Sequence, residues 1–233
     1  MRNGRLAGTM QSGVKDLTTK LVVNEITVFQ ADSIAKPAFA ALLMKYREDN
    51  SLDLGADFNT LLTRWKLPEH ERTGQDVVSL RRLLVLQYMA FRLRGWRNST
   101  YLDGDVINTK IAYQNIGVAD APLVSTVEDL TLLIRAIASN NSPISESIRS
   151  LMIGDDNLTS LGDGAFYGMG MMKDTLTGMP IYHHGGDEPG YSSTNIYIPH
   201  NDTSISLFIN CGVAQGCIQR QSELVDTVLS NEL

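Results

Sequence analysis

Phe29-Gln30-Ala31-Asp32-Ser33-Ile34-Ala35-Lys36-Pro37 is the stretch in which a predicted β-strand passes into a predicted α-helix. Residues 20–30 before it are rich in β-branched side chains, which favours one or two short strand segments. Residues 38–46 after it are mostly apolar and helix-forming, and a proline near the first turn costs a helix little because its missing N–H has no partner there. Ser33 and Lys36 are three residues apart, so the helix places both on one face.

This spacing predicts a nucleophile beside a base. The positive end of the helix dipole helps to stabilise a serine alkoxide, and a backbone N–H at the same place can bind an oxyanion. Lys36 acts as a base only if its pKa is lowered, which burial achieves. The alternative is that Ser33 merely caps the helix while Lys36 is solvated. A second Ser-x-x-Lys, Ser12-Gly13-Val14-Lys15, is not followed by a helix pattern.

A second stretch whose residues suit a functional site is Tyr182-His183-His184-Gly185-Gly186-Asp187-Glu188-Pro189-Gly190-Tyr191. It covers the end of one predicted strand and the segment that leads to the next, and its adjacent glycines permit a ligand to approach the backbone closely. The plain alternative is a glycine-rich hairpin with surface histidines. Two adjacent histidines without a third ligand at a usual spacing do not predict a metal site. We therefore expect no metal and no cofactor.

The rest of the chain predicts an α/β fold, an antiparallel β-sheet flanked by helices. Ser125 and Glu128 fit a capping box at the start of a helix over 130–137, and a short helix is predicted over 145–152. Alternating residues in the last third predict four antiparallel strands. These strands cover 166–173, 179–184, 191–199 and 204–211, and a helix over 219–231 follows them.

Composition restricts the function. The 233 residues are 43% hydrophobic, enough for one domain over residues 1–233. A formal charge of −6 does not indicate the excess of positive charge that binding of nucleic acid requires. No apolar run reaches the roughly 18 residues of a membrane span. The N-terminus lacks the apolar part of a signal peptide, so we expect a cytoplasmic protein. Cys211 and Cys217 are expected to be free thiols.

Seven segments, taken in order, resemble the serine β-lactamase and penicillin-binding-protein-like hydrolases, especially their class C and esterase branch. Ser-x-x-Lys is a signature of related members. The segments are Phe29 to Pro37, Leu52-Asp53-Leu54, Trp65-Lys66-Leu67-Pro68, Leu80-Arg81-Arg82-Leu83-Leu84, Leu123-Val124-Ser125-Thr126 with Glu128-Asp129-Leu130, Tyr167-Gly168-Met169-Gly170, and His184 to Tyr191.

The resemblance implies an acyl-enzyme hydrolase of small esters or amides. Ser33 would be the acylated nucleophile and Lys36 its activating partner. His184-Gly185-Gly186 would replace the Lys-Thr-Gly of the cleft strand, and the backbone N–H groups of Ser33 and Asp187 would form the oxyanion hole. The resemblance implies a small-molecule substrate and leaves the oligomeric state open.

The chain departs from the family pattern in two places. It is short at the N-terminus, and several tens of residues appropriate to a helical lobe are missing between about 85 and 97. The family places a general-base tyrosine of a Tyr-x-Asn motif in that lobe, and Tyr113-Gln114-Asn115 is the literal match here, although it lies close to Leu123. A reduced helical lobe is therefore expected. The competing hypothesis is a catalytically impaired or truncated relative that only binds ligands.

Overall fold

The computed structural model describes residues 1–16, 18–57, 60, 63, 123–175, 178–188, 190–210 and 215–232. Within these residues, eight β-strands and four α-helices form. In chain order they are β1 (Phe29–Gln30), α1 (Ala35–Asn50), β2 (Val124–Ser125), α2 (Val127–Ala138), α3 (Glu146–Ile153), β3 (Thr159–Gly162), β4 (Ala165–Tyr167), β5 (Met172–Asp174), β6 (Ile181–Glu188), β7 (Tyr191–Ile198), β8 (Thr203–Ile209) and α4 (Gln215–Glu232).

Strands β3 to β8 form one antiparallel sheet in which each strand pairs with the next along the chain. The long central pair, β6 and β7, is in register from Tyr182 opposite Tyr197 to Glu188 opposite Tyr191. β1 and β2 form a separate two-stranded pair, with Phe29 opposite Ser125. The predicted fold class, an antiparallel sheet flanked by helices, is confirmed.

The two faces of the sheet are covered by different helices, because successive side chains of a strand point to opposite sides. On one face Tyr197 joins the main core with side chains of α1, α2 and α3. On the other face Ile196 and Ile198 pack with Val225 and Leu229 of α4. A smaller cluster of Ala31, Ile34 and Leu130 holds the start of α1 against α2.

The strand predicted over 166–173 is two strands, β4 and β5, joined by a tight loop. The Gly168 N–H donates to the Met171 carbonyl at 2.8 Å, and Gly170 adopts a φ of +78°. A Cβ on Gly170 would lie 2.9 Å from the Lys36 carbonyl oxygen, so this loop packs directly on the first turns of α1. The short polar strand β3 was not predicted, because its sequence has no hydrophobic alternation.

Helices α2 and α3 begin close to the predicted positions, with one correction, whereas α4 begins at Gln215 and so earlier than the predicted 219. The N-cap of α2 is Thr126, whose hydroxyl accepts the Asp129 N–H at 3.1 Å, and not Ser125. Ser125 is unavailable because it is the last residue of β2 and pairs with Phe29. Ser145 caps α3, as the predicted helix over 145–152 requires.

Several predictions fall on residues that the structure does not describe. They concern the region between about 85 and 97, Tyr113, and the thiols of Cys211 and Cys217. Among the described residues, no helix combines the length and the apolarity needed to cross a membrane.

Candidate active site

Ser33 and Lys36 meet at the start of α1. A single 3-10 turn, Asp32–Ile34, links β1 to the helix, and Lys36 lies in the first helical turn. Lys36 Nζ donates to Ser33 Oγ at 2.5 Å, and the two residues are only 5% and 6% exposed. The N-cap of α1 is Ile34, with no side-chain capping bond, and Lys36 is buried. The alternative of a capping serine beside a solvated lysine does not describe this turn.

The turn is held in an unusual backbone conformation. Asp32, immediately before Ser33, is fully buried and has a φ of +52°. For a residue other than glycine this left-handed conformation costs roughly 1 kcal/mol or more, and such strain persists only where the surroundings impose it.

Three hydrogen bonds to Ala31 hold the chain on the upstream side of the turn. The Ala31 N–H donates to the Leu123 carbonyl at 2.8 Å, and the Ala31 carbonyl accepts the Ile34 N–H at 3.1 Å. The same carbonyl accepts Ser193 Oγ at 3.1 Å, which ties the turn to strand β7. The bonds fix the residue that precedes the strained Asp32 and therefore the direction in which Ser33 leaves the strand.

Strand β6 passes directly against the turn at Gly186. A Cβ at this position would lie 2.6 Å from Asp32 Cβ and 2.8 Å from the Ser33 backbone nitrogen. Only glycine fits at these distances. A Cβ on Gly185 would lie at an ordinary van der Waals distance, 3.7 Å, from the Ser193 carbonyl oxygen. Of the two adjacent glycines, the second is therefore the one that the packing requires.

His184 lies two residues before Gly186 and hence on the same face of β6. Its Nδ1 is 2.6 Å from the Gly185 carbonyl oxygen, and because a carbonyl can only accept, Nδ1 carries the proton. The Tyr167 ring packs edge-on against the His184 ring, with 6.2 Å between centroids.

Burial makes the His184 ring neutral. It lowers the pKa of His184 to about 3, and the hydrogen bond to Gly185 opposes this shift only in part. With Nδ1 protonated, Nε2 is a hydrogen-bond acceptor. This buried atom has no hydrogen-bond partner among the residues that the structure describes.

Asp187 is placed differently from the other candidates. Because it follows Gly186 in the strand, its side chain points to the opposite face of the sheet. There its carboxylate accepts a hydrogen bond from Ser192 Oγ at 2.5 Å. Its side chain thus points away from Ser33, and only its backbone is available for the predicted oxyanion hole. Tyr113, the predicted general base, lies outside the described residues.

Among the described strands, none pairs with one edge of β6 beside Ser33. The ladder between β5 and β6 runs from Asp174 opposite Ile181 to Met172 opposite His183 and goes no further. Residues 184–188 pair only with β7 among the described strands. Their other edge carries backbone N–H and C=O groups that an extended ligand can bind.

Sequence reasoning missed two buried polar residues of β7 that face the same side as the site. Ser193 holds Ala31, and Asn195 Nδ2 donates to the Leu130 carbonyl at 2.8 Å. Asn195 Oδ1 in turn accepts Ser206 Oγ at 2.8 Å. The only sequence signal was a run of consecutive polar residues, 192–195, in a strand that is covered on both faces.

Other possible sites in the described part of the chain do not coincide with Ser33. An open pocket of about 270 Å³ is lined by Lys15, Ile26, Thr27, Val28, Phe29, Tyr191 and Asn210, and by none of the candidate site residues. No group of three potential metal ligands occurs among the described residues.

No protein-family model matches the chain, and no curated protein matches it in sequence. Solved structures do match. A D-stereospecific amidohydrolase from Streptomyces sp. is 16% identical, with a TM-score of 0.57 over 81% of this chain and 84% of that one.

Two further matches extend over nearly the whole chain. D-amino acid amidase from Ochrobactrum anthropi SV3, complexed with L-phenylalanine, is 13% identical, with a TM-score of 0.62 over 100% of this chain and 93% of that one. A penicillin-binding protein from Bacillus halodurans is also 13% identical, with a TM-score of 0.66 over 97% of this chain and 94% of that one. The likeness confirms the predicted β-lactamase/transpeptidase-like fold, and at these identities it shows the fold alone.

Proposed function

We propose that the protein is a serine hydrolase that cleaves small esters or amides through an acyl-enzyme on Ser33. The observation that carries this proposal is the 2.5 Å hydrogen bond between two buried side chains, Lys36 Nζ and Ser33 Oγ, at a helix N-terminus. A buried lysine beside a serine hydroxyl is the arrangement that activates a serine. The hydrolase names of two structural neighbours, an amidohydrolase and an amidase, support the same reaction class.

In the proposed reaction, Ser33 Oγ attacks the substrate carbonyl carbon and its proton passes to a neutral Lys36 amine. The tetrahedral oxyanion is bound by the backbone N–H groups of Ser33 and Asp187. Collapse of this intermediate breaks the bond to the leaving alcohol or amine, which takes up the proton. Water then hydrolyses the Ser33 ester, which releases the acid and restores the hydroxyl.

The neutral His184 ring has a separate role in this proposal. Its Nε2 is an acceptor on the same face of β6 as Gly186, which packs against Ser33. We assign His184 and Gly185-Gly186 to the wall that contacts the substrate. A neutral acceptor favours a substrate group with an N–H or O–H over a carboxylate.

Hydrolysis assays with matched substrates test the proposal. The purified protein is incubated with p-nitrophenyl acetate, D-phenylalanine amide and L-phenylalanine amide, and product release is compared with that of Ser33→Ala. The proposal predicts turnover of at least one substrate that the variant lacks. If wild type and variant are equally active, hydrolysis does not depend on Ser33 and the proposed function is wrong. If both are inactive on all three substrates, the proposed function is wrong for these substrate classes and a ligand-binding role gains support.

A further inference from the structure

We infer that Ser193 is a positioning residue for Ser33: its hydroxyl fastens the turn Asp32–Ile34, the nucleophile turn, to the sheet and thereby sets the attack geometry. This inference rests on the proposed function and extends it to a residue of β7 that does not touch the substrate. The basis is the hydrogen bond from Ser193 Oγ to the Ala31 carbonyl at 3.1 Å, made by a fully buried side chain.

The position of Ser193 makes this bond a direct support of the turn. Ser193 is paired with Gly186, so the two residues lie side by side on the face that Ser33 contacts. A Cβ on Gly186 would be 2.7 Å from Ser193 Oγ and 2.8 Å from the Ser33 backbone nitrogen. The absent side chain of Gly186 therefore lets both the turn and the serine hydroxyl come close to the sheet.

The turn also needs a support of this kind. Asp32 has a positive φ, and relaxation of its backbone would rotate the following residue, Ser33. Ser193 acts at Ala31, one residue before the strained position, and reaches it from a different element of the fold. The other two bonds to Ala31 come from Leu123 and Ile34, so Ser193 provides the tie to the six-stranded sheet.

The hydrogen bond is expected to matter more for rate than for folding. A net intramolecular hydrogen bond contributes only modestly to stability, whereas misplacing a reacting atom by about 1 Å can reduce a rate roughly 100-fold. Ser193→Ala should leave a folded protein in which Ser33 reacts about tenfold more slowly than in wild type. Ser193→Thr, which keeps the hydroxyl, should recover most of the rate.

The test measures the second-order rate at which a fluorophosphonate probe labels Ser33 in wild type, Ser193→Ala and Ser193→Thr. Circular dichroism verifies that each protein is folded at the assay temperature. Ser206→Ala is the matched control, because it removes a serine hydroxyl from the same face of the sheet without a contact to the nucleophile turn. Ser193→Cys, which keeps a weak donor, replaces the threonine variant if that variant does not fold.

The outcomes separate the two proposals. Slower labelling of Ser193→Ala than of both wild type and Ser206→Ala, with recovery in the hydroxyl-bearing or thiol variant, supports the positioning role. Equal labelling of folded Ser193→Ala and wild type overturns it and leaves the proposed hydrolase intact. If wild type itself is not labelled at Ser33, the proposed function fails and the positioning role with it.

Discussion

In the proposed mechanism, the reactivity of Ser33 depends on the amine of Lys36 and on the burial of both side chains. An amine hydrogen-bonded to a hydroxyl inside the protein interacts with it more strongly than in water, since the local dielectric is lower. The same burial opposes protonation of the amine, as a base requires. In the proposed mechanism, the pair supplies both the nucleophile and an acceptor for its proton.

Replacing Lys36 by methionine should remove that route while it keeps the length and much of the volume of the side chain. We expect hydrolysis and probe labelling at Ser33 to fall about 100-fold or more, in the range that general base catalysis contributes. Stopped assays with the same substrates measure the loss. Lys45→Met is the control, because Lys45 is exposed on the same helix and pairs with Asp49. Equal activity of wild type and Lys36→Met would exclude Lys36 as the base.

Strand β6 has two structural roles. It lies inside the six-stranded sheet, and it forms the surface on which the nucleophile turn packs. Gly186 makes this close contact possible, whereas Gly185 points to the other face of the strand. On the adjacent strand β7, Ser193 bonds the Ala31 carbonyl beside the turn and Asn195 bonds the Leu130 carbonyl of α2.

A methyl group at Gly186 should push the turn off the strand. Gly186→Ala places a carbon 2.6 Å from Asp32 Cβ and 2.8 Å from the Ser33 nitrogen, which are not flexible side-chain ends. We expect the free energy of unfolding to fall by about 1–3 kcal/mol, as for other overpacked sites. Urea unfolding of Gly186→Ala and Gly185→Ala measures the difference. A stability loss at Gly185 as large as that at Gly186 would contradict the packing described for β6.

The elements differ in how far the sequence predicts them. Strands β7 and β8 and helices α2 and α3 were predicted because their patterns and caps are local. Strand β6 was predicted only to residue 184 but continues to Glu188, because Gly185-Gly186 is a pair more typical of a turn. The break between β4 and β5 was not predicted, since the loop at Gly168 and Gly170 is shaped by its contact with α1, which is distant in sequence.

The candidate site divides in the same way. Ser33 and Lys36 were predicted from their spacing and are hydrogen-bonded. The role of Ser193 could not be predicted, because it depends on the packing of β7 beneath a turn 160 residues earlier in the chain. The positive φ of Asp32 has no local signal either, because it is imposed by that packing.

At the level of the whole molecule, the sheet brings together the start of α1 and strand β6, which lie far apart in the chain. We propose that residues 1–233 fold as one domain with this site at its centre. The histidines of β6 then link the stability of the molecule to pH, since a ring held neutral by the fold must be protonated when the chain unfolds in acid.

Acid should destabilise the fold through His184. Its pKa in the folded state is lowered to about 3, so between pH 6.5 and 3 the unfolded chain binds a proton that the folded chain does not. Stability therefore falls as pH falls, by about 2 kcal/mol between pH 7 and 5 from this ring alone. Burial lowers the pKa of His183 as well, which acts in the same direction.

Urea unfolding at pH 7 and pH 5 measures this effect in wild type, His184→Gln and His200→Gln. The His184 variant should lose much of the pH dependence, whereas removal of the exposed His200 should not change it. An identical pH dependence in wild type and His184→Gln would mean that His184 is not held neutral by burial.

The identity of the nucleophile is tested most directly by covalent labelling. Wild type, Ser33→Ala and Ser12→Ala are incubated with a fluorophosphonate probe, and the adduct is located by intact mass and peptide mapping. Ser12 is the serine of the other Ser-x-x-Lys and is exposed, so it controls for the motif without the buried turn. We predict one adduct, on Ser33, in wild type and Ser12→Ala and none in Ser33→Ala; no adduct in folded wild-type protein, or one that survives in Ser33→Ala, would contradict the assignment of Ser33 as the nucleophile.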